Sequence, residues 1–156
     1  MNSDALGLGQ ELWEIWRVRL ASALLGAMFL AAGVIKAQNV AGFYRDLQSY
    51  RLFSPEVMLV AAYYAPALEV VTGTAVLFER SRRPAAALLA VMLAGFILLL
   101  AVSWLRGVDI SCGCFGPDGG KTNYPLRLGE DVVLLTLAVW VFQWSTNTPE
   151  ALPPAP

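Results

Sequence analysis

Histidine is absent from this 156-residue chain, and cysteine occurs twice. Without imidazole there is no histidine general base, no histidine-ligated haem, and no HExxH or Cys2His2 zinc site. Charge is scarce as well: 15% of residues are charged, against about 25% in soluble domains. Nor is there a basic excess. Eleven Lys and Arg face 12 Asp and Glu, a formal net charge of -1, which leaves no electrostatic footprint for nucleic acid. What is plentiful is apolar surface: 57% of residues are hydrophobic and mean hydropathy is +0.57. A soluble domain of this size buries only ~70% of its unfolded surface and needs polar residues for the rest. The composition therefore points away from a soluble domain, and equally away from disorder, which needs low hydrophobicity.

The apolar residues come in four blocks. Leu20 to Ile35 is 16 residues without a charge, Val57 to Phe78 is 22 residues with Glu69 alone, Pro84 to Leu105 is 22 with none, and Val132 to Thr148 is 17 with none. A membrane span needs about 20 mainly apolar residues. The first block reaches that length with Val18 and Lys36 at its ends, where a long cation can snorkel to the interface. The fourth begins beside Glu130 and Asp131. The pattern predicts an all-α, polytopic membrane protein, a bundle of four transmembrane helices over about 18–36, 57–78, 84–105 and 128–146. Residues 17–145 form the membrane domain. Residues 1–16 read as a polar, interfacial segment, not a cleavable signal peptide, because Asp4, Glu11 and Glu14 interrupt them. Residues 146–156 read as a disordered, Pro-rich tail.

Lys and Arg set the expected orientation. Arg17 and Arg19 precede the first span, and Arg80, Arg82 and Arg83 crowd a very short second connection. The first connection carries Lys36, Arg45 and Arg51 and the third Arg106, Lys121 and Arg127, six against five, so count alone does not decide and density does: such a dense hairpin is hard to translocate. Both termini and this hairpin are placed in the cytoplasm of a bacterial inner membrane. The first connection and the loop 106–127 then face outward.

That outward loop carries Cys112-Gly113-Cys114. Alpha carbons two residues apart lie roughly 5.5–7 Å from one another, within or near disulfide reach. Such a small ring staples almost no unfolded chain, so structural stabilisation explains the pair poorly. Strained disulfides are the oxidising, labile ones, and an outward loop is an oxidising place. Three chemistries fit: a redox-active dithiol and disulfide, a thiolate pair carrying a soft metal such as copper or mercury, or an inert link. The glycines around the cysteines fit all three.

Two polar side chains sit inside the spans. Glu69 lies about 18 Å down the second span by the helix rise, and an intramembrane carboxylate must be protonated or paired. Its face holds Ala62, Ala65, Pro66, Thr72 and Gly73, a small-residue stripe suited to helix packing. Ser22, Gly26, Phe29, Gly33 and Lys36 repeat at intervals of 4, 3, 4 and 3 on the first span, a second packing stripe. Lys36 closes it at the outward end. A Lys36–Glu69 pair conflicts with their depths, Lys36 near the surface and Glu69 near the centre. Glu69 is read as a contact between helices or as a proton-handling group.

Phe29-x3-Gly33-x2-Lys36, Pro66-x2-Glu69-x3-Gly73 and Cys112-Gly-Cys114-Phe-Gly together resemble the methylamine utilisation protein MauE family, within the wider DoxX-like group. The resemblance covers about 21–142. It implies a four-helical membrane protein linked to methylamine metabolism and to disulfide formation in periplasmic proteins. It also implies that Cys112 and Cys114 are the redox pair. The partner is then a periplasmic or extracellular thiol protein, a thioredoxin-like carrier or a client, with the lipid bilayer as solvent. By analogy of architecture with vitamin K epoxide reductases and bacterial disulfide-generating proteins, a membrane quinone is the candidate cofactor. The chain departs from those enzymes in having one cysteine pair and no second, internal pair. The readings from other classes are the soft-metal carrier and a non-catalytic helper subunit of a membrane complex.

Overall fold

The computed structural model describes residues 3–108 and 123–147, with side chains over 13–108 and 123–145. Five helices follow one another: α1 (Ser3–Gln38), α2 (Val40–Ser49), α3 (Pro55–Ala75), α4 (Glu79–Leu105) and α5 (Tyr124–Asn147). Three of them, α1 from Trp13, α3 and α4, are long and apolar enough to cross a membrane. Their outward faces carry Leu20, Leu24, Val60, Tyr63, Val71, Val91 and Leu98, all exposed. An apolar girdle of that extent is the surface of a protein solvated by lipid. The described elements are all helical, and the chain is a multi-pass membrane protein.

Four apolar blocks predict four spans; the additional helix is α2, within the first connection. Asn39 caps it, its side-chain carbonyl accepting from the Gly42 amide at 2.9 Å. Val40, Phe43 and Leu47 then recur at helical spacing, and Phe43 is buried. Nor does anything break the chain between the N-terminal segment and the first span, because α1 is continuous through Gln38. The residues 148–156 read as a tail lie outside the described residues.

α1 pairs with α3 and α4 with α5, and the core between the pairs holds Leu25, Phe29, Val76, Leu89, Leu93, Ala138 and Val141. The α1–α3 pair is tight because its facing residues are small. A Cβ on Gly26 would lie 2.8 Å from the Gly73 carbonyl, and one on Gly73 would lie 3.0 Å from the Gly26 carbonyl. A Cβ on Gly33 would meet the Pro66 carbonyl at 2.8 Å. The two helices run antiparallel with Gly26 facing Gly73 and Gly33 facing Pro66. Without a hydrophobic drive between helices in lipid, such backbone approach is what holds them together.

α3 and α4 form a hairpin closed over three residues, with the Ser81 hydroxyl donating to the Ala75 carbonyl at 2.6 Å. Arg80, Arg82 and Arg83, expected in a connection, lie in the first turns of α4, and Arg82 is buried. The far end of α4 closes in a Schellman motif. Gly107, at φ 63°, donates to the Trp104 carbonyl, and Val108 donates to that of Ser103.

Gly26→Val and Gly73→Val are each expected to destabilise the α1–α3 pair by about 1–3 kcal/mol, the range for forcing atoms into a packed contact. Gly95→Val is the control, because nothing lies within 4 Å of a Cβ there. Thermal unfolding in detergent reads all three. Equal stability of the Gly26 and Gly95 variants would contradict the packing.

Candidate functional site

Lys36, on the last turn of α1, and Glu69, on α3, form a buried ion pair. The register explains how. Gly26 faces Gly73 and Gly33 faces Pro66, so Lys36 stands level with residue 63. The Glu69 backbone is therefore six residues, about 9 Å, further into the bundle. The expected difference in depth is real, but the side chains bridge it. Helical Cβ atoms tilt toward the N-terminus. In an antiparallel pair Lys36 thus leans inward while Glu69 leans outward, and the two ends meet. Lys36 is not snorkelling to the surface: it is 5% exposed, and Glu69 is 1% exposed.

Four helices, α1 to α4, meet at this site. The Lys36 ammonium lies 5.3 Å from the ring centre of Phe43 on α2 and 5.3 Å from that of Phe96 on α4. Cations are attracted to ring faces at that distance, more strongly where water is excluded. Asp131 on α5 is near enough for its charge to act on Lys36. One carboxylate oxygen of Glu69 takes the lysine, and the other, Oε2, has no partner among the described residues. A desolvated cation held by one carboxylate can fasten helices and can hold or move a proton. Phe43, Phe96 and Asp131 escaped the sequence reading. Asp131 was visible there only as a charge at the start of the fourth block.

Cys112 and Cys114 lie outside the described residues, as does all of 109–122. The residues flanking that segment are described. Tyr124, at the start of α5, donates its hydroxyl to the Val108 carbonyl, and its ring stacks on Trp104 with centroids 6.3 Å apart. Arg106 donates to the Arg51 carbonyl at 3.2 Å. Arg51, at φ 52°, is held in a conformation costly for a residue with a Cβ. Both flanks therefore sit at the end of the bundle that holds α2 and the Lys36 end of α1. No group of three or more potential metal ligands occurs among the described residues.

The opposite end is arginine-rich. Arg19 pairs with Glu79 at 2.8 Å. The Arg17 guanidinium lies 5.6 Å from the Trp140 ring centre, and that of Arg83 lies 5.7 Å from that of Phe142. The two arginine groups that the sequence reading placed on one side of the membrane thus meet at one end.

The family model for the methylamine utilisation protein MauE matches residues 15–143. A curated relative, the methylamine utilization protein MauE of Paracoccus denitrificans, is 30% identical over 140 residues, which are 89% of this chain and 72% of the relative. No solved structure matches.

Removing one partner of a buried ion pair strands the other, at about 3–5 kcal/mol. Glu69→Gln and Glu69→Leu are both expected to fall in that range, because neither neutralises Lys36. The double change Lys36→Met with Glu69→Leu is expected to recover most of the loss. Unfolding of the four proteins in detergent checks this. A Glu69→Gln protein as stable as the parent would show that the pair does not hold α1 to α3.

Proposed function

The chain belongs to the MauE family, and from that premise we propose that it serves methylamine utilisation as a four-span membrane protein working by thiol–disulfide exchange at Cys112 and Cys114. α5 supplies the fourth span: its 24 residues reach about 36 Å, more than the hydrocarbon core. Arg127, Glu130 and Asp131 then lie in its first turns, toward the interface. One observation carries the redox reading. Two cysteines one residue apart lie in a segment whose flanks, Val108 and Tyr124, are tied together at the end opposite the α3–α4 hairpin and its Arg80, Arg82 and Arg83. Three arginines crowded beside the short α3–α4 connection resist translocation, which puts that end in the cytoplasm. The cysteines then face the periplasm, where disulfides persist.

The exchange runs in two steps. A thiolate of an exported protein attacks one sulfur of the Cys112–Cys114 disulfide, giving a mixed disulfide and freeing the other cysteine as a thiolate. The client's second thiolate then displaces the first bond. The client leaves oxidised by two electrons, and Cys112 and Cys114 are left reduced. Restoring the disulfide removes two electrons and two protons from Cys112 and Cys114, which a membrane quinone would accept in becoming a quinol. Run backward, the same residues reduce a partner.

Cys112→Ser and Cys114→Ser are each expected to abolish oxidation of client thiols, while the protein accumulates normally in the membrane. A membrane-impermeant maleimide is expected to label the parent on intact, reductant-treated cells. Substantial activity in either serine variant would refute the dithiol chemistry. Labelling only after lysis would reverse the orientation. Loss of both variants from the membrane would favour an inert link.

A further inference from the structure

We infer that the arginine-rich end carries a binding site for a phosphate group, between α1 and the start of α4. A cavity of about 240 Å³ there is lined by Arg19, Ser22, Ala23, Leu77, Glu79 and Arg82. Two of its polar side chains are buried and unsatisfied among the described residues. They are the hydroxyl of Ser22, a residue 1% exposed, and Nε of Arg82, a residue 7% exposed. A buried guanidinium N–H without an acceptor is costly, and more so in a bundle surrounded by lipid. The carboxylate in the cavity, Glu79, is engaged by Arg19 at 2.8 Å. The lining therefore holds two cations against one anion.

The chemistry of the lining names the ligand class. Guanidinium and hydroxyl donors converging on one space suit a tetrahedral oxyanion, which accepts several charge-assisted hydrogen bonds at once. The rest of the wall is apolar. Ala23 and Leu77 are exposed, and Leu20 and Leu24 continue the same helix surface outward toward lipid. A phosphate with an acyl chain beside it, the head of an anionic lipid, fits both parts. Basic pockets between helices near the membrane surface take such head groups. Free inorganic phosphate shares the polar half of this chemistry. The site is remote from the cysteine end and does not depend on the redox reading.

Native mass spectrometry of the full chain, taken from bilayers of equal phosphatidylglycerol and phosphatidylcholine, tests the inference. The parent is expected to retain phosphatidylglycerol preferentially. Arg82→Gln is expected to lose roughly tenfold in retention, the effect of one charge-assisted hydrogen bond. Arg80→Gln, at an exposed neighbour outside the cavity, should lose nothing. Ser22→Ala, which keeps every charge, is expected to lose a few-fold and serves if Arg82→Gln fails to accumulate. A second arm adds inorganic phosphate to delipidated protein and follows thermal stability. Stabilisation that needs Arg82, without lipid preference, would make the ligand a soluble phosphate in the same site. Binding in neither arm, or binding unaffected by Arg82→Gln and Ser22→Ala, would overturn the site.

Discussion

A lysine and a glutamate buried together in an apolar bundle constrain everything around them. Each charge alone would cost several kcal/mol to hold out of water. α1 and α3 must therefore keep the register that joins Lys36 to Glu69. That register is the one in which Gly26 meets Gly73 and Gly33 meets the Pro66 carbonyl. Polar pairing and close backbone packing support one another here: the glycines bring the helices near enough for the side chains to meet, and the pair penalises any slip. Phe43 and Phe96 carry the constraint further, fixing α2 and α4 around the same ammonium.

From this centre the two ends of the molecule diverge in chemistry. One end gathers arginines, holds Arg19 against Glu79, and leaves Arg82 and Ser22 facing a cavity with hydrogen-bonding capacity unused. The other gathers α2, the strained Arg51 and the two flanks of the cysteine segment, tied by Tyr124 to Val108. The proposed redox pair is thereby mounted on the end that the ion pair braces. A pair meant to meet protein partners gains from such a mount, because the segment enters and leaves the bundle at one fixed place.

Much of this was legible in the sequence where periodicity was strong. The stripe Ser22, Gly26, Phe29, Gly33 and Lys36 is buried along its whole length, and so are Ala62, Pro66, Glu69, Thr72 and Gly73 on α3. Helical spacing and small residues carry that information without any tertiary knowledge. The ion pair was not legible from depth along the span, because depth was reckoned from backbone positions. Side chains that tilt toward each other across an antiparallel pair close a gap of six residues. α2 was hidden because a 10-residue helix in a connection lacks the long apolar run by which the others were found, although the Asn39 cap and the Val40, Phe43, Leu47 spacing marked it. Arg82 was misplaced for a third reason: as one charge of a dense group it was read for topology, and its burial depends on neighbours from α1.

The proposed redox role makes Cys112 and Cys114 a labile pair that exchanges electrons. Its reduction potential tests that most directly, measured on the purified full chain by equilibration in graded thiol–disulfide buffers and alkylation of the free thiols. A labile pair is expected to show a reversible two-electron transition above about -230 mV, in the range of disulfide-exchange proteins. A potential below about -300 mV, that of inert structural disulfides, would contradict it. So would two thiols that form no disulfide with each other in any buffer.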